Sequence, residues 1–127
     1  MRIRFDPRVG QIRLPLRILG PLGNGVMTVV LDTGSTHTVL SRETLGYYGL
    51  IVDPNTPTRG IITGSGRVNA PRITIPEFGV GEMLKQHFVV FALDFPQGSG
   101  IDGVLGLDFL RSRKLTLDFK EGILEID

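Results

Sequence analysis

The fold of this chain is decided by residues Val26–Thr36, which read VMTVVLDTGST. The first six residues, Val26–Leu31, form a continuous run rich in β-branched side chains, which predicts a strand buried on both faces. Asp32 stands at the end of that strand, and Gly34 follows two residues later, where glycine permits a tight turn. The segment therefore predicts a buried strand that presents a carboxylate at a sharp turn.

The carboxylate of Asp32 needs partners, because burying an unpaired charge is costly. The hydroxyl groups of Thr33, Ser35 and Thr36 lie within local reach of it. As a bare triplet, Asp-Thr-Gly is also typical of a turn that caps a strand. A functional site is the better interpretation here, because a second short strand is predicted over His37–Leu40 and another glycine signal lies far downstream.

That downstream signal is Ile101–Leu110, IDGVLGLDFL, in which apolar residues lead into a helix predicted over Leu107–Arg113. Asp102 precedes a glycine, which is typical of a turn residue. Asp108 falls in the first helical turn, which favours a capping or dipole-stabilising role. A catalytic pair made of Asp32 and Asp108 within one chain is therefore the weaker alternative.

Short elements are predicted along the chain, because 17 glycines and 8 prolines interrupt it. Residues 11–19 alternate between apolar and polar, which predicts a half-buried strand with Pro15 at an edge or a bend. Gly20–Gly25 has the composition of a turn. Ser41 is a suitable N-cap for a short helix over Arg42–Tyr48, which the following glycine ends.

Residues 60–75 predict a hairpin whose tip is Thr63–Gly66, with a bulge or bend at Pro71. A buried apolar strand is predicted over His87–Phe95. Two more strands joined by a three-residue turn are predicted near the C-terminus, at residues 115–119, Lys120–Gly122 and Ile123–Ile126. The sum is a mainly β domain with one or two short helices.

The composition suits one globular domain over residues 1–127, with 41% hydrophobic and 21% charged residues. A net charge of +1 and scattered arginines offer no bulk attraction to nucleic acid or to an anionic membrane. No stretch approaches 18 apolar residues, and the N-terminal sequence lacks the pattern of a signal peptide. The chain has no cysteine, which excludes disulfides and thiolate chemistry and fits a reducing compartment, so a cytoplasmic location is expected.

The order of these motifs resembles that of the retropepsin-like aspartic proteases. Apolar residues lead to Asp-Thr-Gly-Ser-Thr at 32–36, a glycine-containing hairpin follows, and apolar residues before Gly106 lead into a short helix. The similarity spans residues 11–126 and is nearest to bacterial single-domain members and to the retropepsin-like domains of ubiquitin-shuttle proteins. The resemblance implies a single-lobed acid protease β-fold and hydrolysis of peptide bonds by an aspartic endopeptidase.

The resemblance also implies a mechanism in which two carboxylates act on one water. Because this sequence has one Asp-Thr-Gly, the active form is expected to be a homodimer to which each subunit contributes Asp32. Thr33 would tie the two loops together across the symmetry axis, and Gly34 would let a substrate strand approach. Ser35 would donate its hydroxyl hydrogen to the carboxylate.

By the same resemblance, the residues of the hairpin tip are expected to form a flap over the substrate: Ile62, Thr63, Gly64, Ser65 and Gly66. A plain surface hairpin is the alternative that the residues alone leave open. A flap and a cleft would bind an extended peptide or protein segment through backbone hydrogen bonds. The resemblance implies neither a metal nor a cofactor.

Other functions stay open as alternatives. His37 and His87 lack the spacing of a metal site, and no Gly-x-Ser-x-Gly elbow supports a catalytic triad, so both are interpreted as ordinary histidines beside a strand. The fold could also serve as a non-catalytic dimerisation or peptide-binding module, or as a monomeric interaction domain with exposed edge strands. The intact Asp32-Thr33-Gly34 favours an enzyme, because it keeps a carboxylate that is costly to bury.

Overall fold

The computed structural model describes residues 1–127 and contains ten strands and two short helices, so the mainly β prediction is confirmed. A three-stranded sheet has the order β1-β10-β9, and a seven-stranded sheet has the order β2-β3-β8-β4-β7-β6-β5. In chain order the elements are β1 Arg2–Arg4, β2 Arg13–Gly20, β3 Gly23–Leu31, β4 Val39–Ser41, α1 Arg42–Tyr47, β5 Thr58–Thr63, β6 Gly66–Val80, β7 Met83–Leu93, β8 Gly103–Leu105, α2 Leu107–Leu110, β9 Leu115–Asp118 and β10 Ile123–Ile126.

The larger sheet closes on itself, because β2 pairs with β3 along its whole length and also with β6 through Arg17–Leu19. Pro15 lies in the half of β2 that has β3 as its single neighbour. Thr28, opposite Pro15, directs its N–H and its carbonyl to Asp102 on the far side of β3. The missing N–H of Pro15 therefore faces the unpaired side of the strand, as the edge prediction requires.

The structure corrects the prediction that β3 is buried on both faces. Met27 and Val29 are fully buried, whereas Val26 is 65% exposed and Val30 is half-buried. One face of β3 points into the barrel and the other points out of it. The β-branched run therefore lies on a strand that is buried on one face and partly exposed on the other. The turn predicted over Gly20–Gly25 is also too long, because Gly20 already pairs with Gly23.

The hairpin of β5 and β6 has the predicted tip, since Thr63 pairs with Gly66 and leaves a two-residue turn. The predicted bend at Pro71 is confirmed, because β6 exchanges its partner β5 for β7 between Pro71 and Arg72. The buried positions shift by one residue there, from Ala70 to Ile73. A single strand of 15 residues thus runs from the hairpin tip to the seam of the barrel.

The helices and the C-terminal turn differ from the predictions at their ends. The N-cap Ser41 accepts a hydrogen bond from the amide of Thr44 at 3.3 Å, and α1 ends one residue earlier than predicted. The helix predicted over 107–113 is a single turn, because Arg111 is already extended and Ser112 has a positive φ of 65°. Strand β7 begins at residue 83, four residues before the predicted start, and four residues rather than three join β9 to β10.

Twenty buried side chains form the main core between the barrel and the three-stranded sheet. Phe78 and Phe109 are fully buried at its centre, with ring centroids 5.5 Å apart, and Leu124 and Ile126 reach it from β10. Strand β1, which the sequence did not predict, covers β10 by antiparallel pairing. No helix of the chain has both the length and the apolar character needed to cross a membrane.

Replacing Phe78 with alanine is expected to lower the free energy of unfolding by about 3–5 kcal/mol, because it opens a cavity in a tightly packed core. Phe119→Ala is the matched control, since that ring is 63% exposed and its loss should cost less than about 1 kcal/mol. Urea unfolding of both variants measures the difference. Equal losses would contradict this description of the core.

Candidate active site

Asp32 lies where β3 leaves the barrel. Leu31 pairs with Leu105 in parallel, and the amide of Asp32 donates to the carbonyl of Leu105 at 3.0 Å. The chain then turns, because the amide of Ser35 donates to the carbonyl of Asp32 at 3.1 Å. This turn brings the N–H of Gly34 onto the Asp32 carboxylate at 3.0 Å, so a backbone dipole stabilises the half-buried side chain.

A glycine in the second signal holds this turn in place. The amide of Leu107 donates to the carbonyl of Ser35 at 2.8 Å, and the amide of Asp108 donates to the carbonyl of Thr36 at 3.2 Å. A Cβ at Gly106 would lie 2.6 Å from the His37 carbonyl oxygen and 2.7 Å from the Ser35 carbonyl oxygen. Only glycine permits this approach, so the second motif is in direct backbone contact with the first.

Asp108 joins the residue before β4 to the first turn of its own helix. Its carboxylate accepts from the amide of Thr38 at 2.8 Å, from the hydroxyl of Thr38 at 2.6 Å and from the amide of Phe109 at 2.9 Å. Thr38 is fully buried, and its hydroxyl also accepts from the amide of Gly106 at 3.1 Å. The structural role predicted for Asp108 holds, but Gly106 occupies the N-cap position.

Asp102 is likewise held by the fold and is more than a turn residue. Its carboxylate accepts from the amide of Thr28 at 2.8 Å and from the hydroxyl of Thr44 at 3.1 Å. It thereby connects β3 to α1 across β8. Neither Asp102 nor Asp108 faces the space beside Asp32.

That space is a cleft of about 590 Å³ with Asp32 in its wall. The floor is apolar, and four of the five predicted flap residues line the cleft together with Asp32 and Gly34: Ile62, Thr63, Gly64 and Ser65. The fifth, Gly66, begins β6 and does not line it. Ile62 is 87% exposed, so the hairpin tip presents an apolar side chain to solvent.

One of the predicted supporting residues, Ser35, differs from expectation in its contacts. The hydroxyl of Ser35 donates to the carbonyl of His37 at 2.7 Å. Its single hydrogen is therefore committed, and the expected donation from Ser35 to the Asp32 carboxylate is not formed. Thr33 is exposed, lies outside the cleft beside Leu107 and Leu110, and its hydroxyl makes no hydrogen bond within the chain.

The cleft also contains two titratable residues that sequence reasoning did not place there. His37 lines it, with its ring edge-on to Phe91 at 4.8 Å, so the interpretation of His37 as an ordinary histidine is incomplete. His87 is exposed and lies elsewhere. Asp94, directly after β7, lines the cleft as well, and its position after an apolar strand repeats the signal that drew attention to Asp32. No three His, Asp or Glu side chains come together as a group that could hold a metal ion.

Lys85 lies outside the cleft and contacts α2. Its ammonium group donates to the carbonyl of Phe109 at 3.2 Å and lies 4.9 Å from the centroid of the Phe109 ring. Burial lowers the pKa of Lys85, with a further lowering from the charge of Arg113 that Asp108 partly opposes. The lysine fixes the end of α2 and so helps to hold Asp108 against Thr38.

The sequence profile of the aspartyl protease family matches residues 15–109, a stretch that includes the Asp32 turn, the hairpin and Asp108. This chain belongs to the aspartyl protease family. Two similar solved structures show the fold. A retropepsin-like aspartic protease from Rickettsia conorii aligns with a TM-score of 0.69 and 19% identity over 98% of this chain and 86% of the other.

The retroviral protease-like domain of Ddi1 from Leishmania major aligns with a TM-score of 0.63 and 23% identity over 94% of this chain and 90% of the other. These two alignments confirm the retropepsin-like fold predicted from the sequence. No curated protein matches the chain.

Replacing Gly106 with alanine is expected to lower the free energy of unfolding by about 2–3 kcal/mol, because the new methyl group would overlap two backbone carbonyl groups. Gly10→Ala is the control, since nothing lies within 4 Å of a Cβ at that position. Its stability should change by less than about 0.5 kcal/mol. Chemical unfolding compares the two, and a Gly106→Ala protein as stable as the control would refute the close approach.

Proposed function

We propose that this chain is an aspartic endopeptidase that hydrolyses peptide bonds as a homodimer, with a water activated by Asp32 from each subunit. The observation that carries the proposal is the Asp32 carboxylate, fixed by the Gly34 amide in the wall of a cleft that the hairpin tip also lines. Membership of the aspartyl protease family supports the same chemistry. Residues 1–127 would form one protease domain that needs no cofactor.

The second carboxylate is best supplied by another copy of the chain. Asp102 and Asp108 are committed to Thr28, Thr44 and Thr38, and no hydrogen bond joins Asp94 to Asp32. A two-fold axis beside Asp32 would bring the same side chain from both subunits together. The exposed Thr33 supports this arrangement, because its hydroxyl is free to bond across such an axis.

The chemistry then follows from two carboxyl groups that share one proton, since two such close groups do not both ionise easily. The ionised carboxylate removes a proton from the water as its oxygen attacks the carbonyl carbon of the substrate. The protonated partner donates to the carbonyl oxygen and stabilises the tetrahedral intermediate. Transfer of a proton to the amide nitrogen lets the C–N bond break, and the shared proton is restored.

The hairpin supports the proposed substrate class. Its tip lines the cleft opposite the Asp32 turn, and an extended peptide between them could bond to exposed backbone groups on both sides. The apolar floor, which includes Val39, Ile61 and Val104, would receive alternate side chains of such a peptide. Extended segments of proteins are therefore the proposed substrates, with the tip as a flap.

Asp32→Asn is expected to lower kcat for cleavage of a denatured protein substrate by about a thousandfold or more, because general acid–base catalysis is lost. The fold should persist, since the asparagine oxygen can still accept from Gly34. Glu82→Gln is the control for an equal change of charge at an exposed site without hydrogen bonds. Peptide release at mildly acid pH, with and without a statine-type inhibitor, measures the rates.

Undiminished cleavage by Asp32→Asn would reject the proposal. A folded dimer that binds peptides but cleaves none, under any of these conditions, would favour the non-catalytic binding module instead.

Mixing the wild-type chain with a tenfold excess of Asp32→Asn chains is expected to lower the activity per wild-type chain about tenfold, because most wild-type subunits would then pair with an inactive copy. The mixture must first be incubated long enough for subunits to exchange, which sedimentation of a labelled chain can follow. An excess of Glu82→Gln chains should leave activity per active chain unchanged. A monomeric active site would make the Asp32→Asn excess harmless.

A further inference from the structure

Asp94 differs from every other aspartate of the chain in having no partner within it. The side chains of the other seven accept a hydrogen bond or form an ion pair: Asp6, Asp32, Asp53, Asp102, Asp108, Asp118 and Asp127. Aspartates outside helices usually bond to nearby backbone amides, which is why they are common in turns. The side chain of Asp94 therefore contributes no hydrogen bond or ion pair to the fold.

The surroundings of Asp94 are those of a binding site. The residue is exposed and directly follows β7, and it lines the same cleft as Asp32. Its neighbours Leu93, Phe95 and Pro96 line the cleft too and are apolar. No lysine or arginine lines the cleft, so no side chain with a permanent positive charge lies there beside Asp94.

We propose that Asp94 is a specificity-determining residue that selects a lysine or arginine side chain in the peptide substrate. The inference rests on the proposed function and names the substrate class of that same cleft. The aliphatic stem of a lysine or arginine would lie along Leu93 and Phe95, and its cationic end would reach the carboxylate. A glutamate at the same substrate position would meet an uncompensated like charge.

The symmetry of the proposed dimer makes the expectation more specific. Each subunit would place one copy of Asp94 in the combined cleft, at equal distances from the axis between the two Asp32 side chains. A basic residue should therefore be favoured at two positions of the substrate, one on each side of the bond that is cleaved. A single acidic site within one chain would favour one position only.

The size of the effect follows from the exposure of Asp94. Ion pairs at exposed sites contribute about 0.2–1 kcal/mol, which corresponds to at most about a fivefold change in affinity. Replacing lysine with glutamine in the substrate should therefore raise KM about 1.4-fold to fivefold and leave kcat nearly unchanged. The preference should weaken as the salt concentration rises, because the pair remains open to solvent.

The experiment uses a set of peptides in which lysine, glutamine or glutamate is moved through each position around one cleavable bond. The wild-type chain is compared with Asp94→Asn, which should lose the lysine preference, and with Asp94→Lys, which should prefer glutamate. Glu82→Gln changes the net charge equally outside the cleft and should keep the lysine preference. The readouts are KM and kcat for each peptide at two salt concentrations.

The same peptides with a reduced, uncleavable bond are also titrated against the wild-type and Asp94→Asn chains by fluorescence anisotropy. Tighter binding of the lysine peptide, lost in Asp94→Asn, supports the inference even if no peptide is cleaved, in which case it is the proposed function that fails. Cleavage of all peptides with equal KM, or a lysine preference that Asp94→Asn retains, overturns the inference and leaves the proposed function intact.

Discussion

The site depends on one steric constraint, the contact of Gly106 with the carbonyl groups of Ser35 and His37 at distances that a side chain would not tolerate. Because the two loops touch as bare backbone, the amides that follow Gly106 can bond directly to the Asp32 turn. The turn then aims the Gly34 amide at the carboxylate. The absence of a side chain at Gly106 thus sets the orientation of the acid on which the proposed chemistry rests.

The carboxylates around this contact show how the environment assigns roles to one residue type. Asp102 and Asp108 accept several hydrogen bonds each and act as cross-links between strands and helices. Asp32 accepts one from Gly34 and opens onto the cleft, while Asp94 accepts none. The number of protein donors around each carboxylate separates structural acids from those available to a ligand.

The sequence predicted the features that neighbouring residues determine. It missed the features that depend on pairing between distant parts of the chain. The Asp32 turn, the N-cap Ser41 and the bend at Pro71 all have signals within a few residues. Strand β1 escaped prediction because three residues form a strand only through pairing with β10, more than a hundred positions away. The exposure of Val26 depends on which face of β3 points out of the barrel. The hydrogen-bond partner of the Ser35 hydroxyl depends on which of two nearby acceptors it reaches, the His37 carbonyl or the Asp32 carboxylate.

Strand β6 carries the hairpin and the barrel seam in one continuous piece, with the change of partner at Pro71 between them. Before that point β6 pairs with β5 alone, and after it β6 pairs within the closed barrel. Evolution can therefore lengthen, shorten or reshape the segment over the cleft by insertions at Gly64 and Ser65 while the register of the barrel stays fixed. Sequence changes in this part of the molecule should therefore cost the fold little stability. The same scaffold can then carry hairpin tips that suit very different ligands.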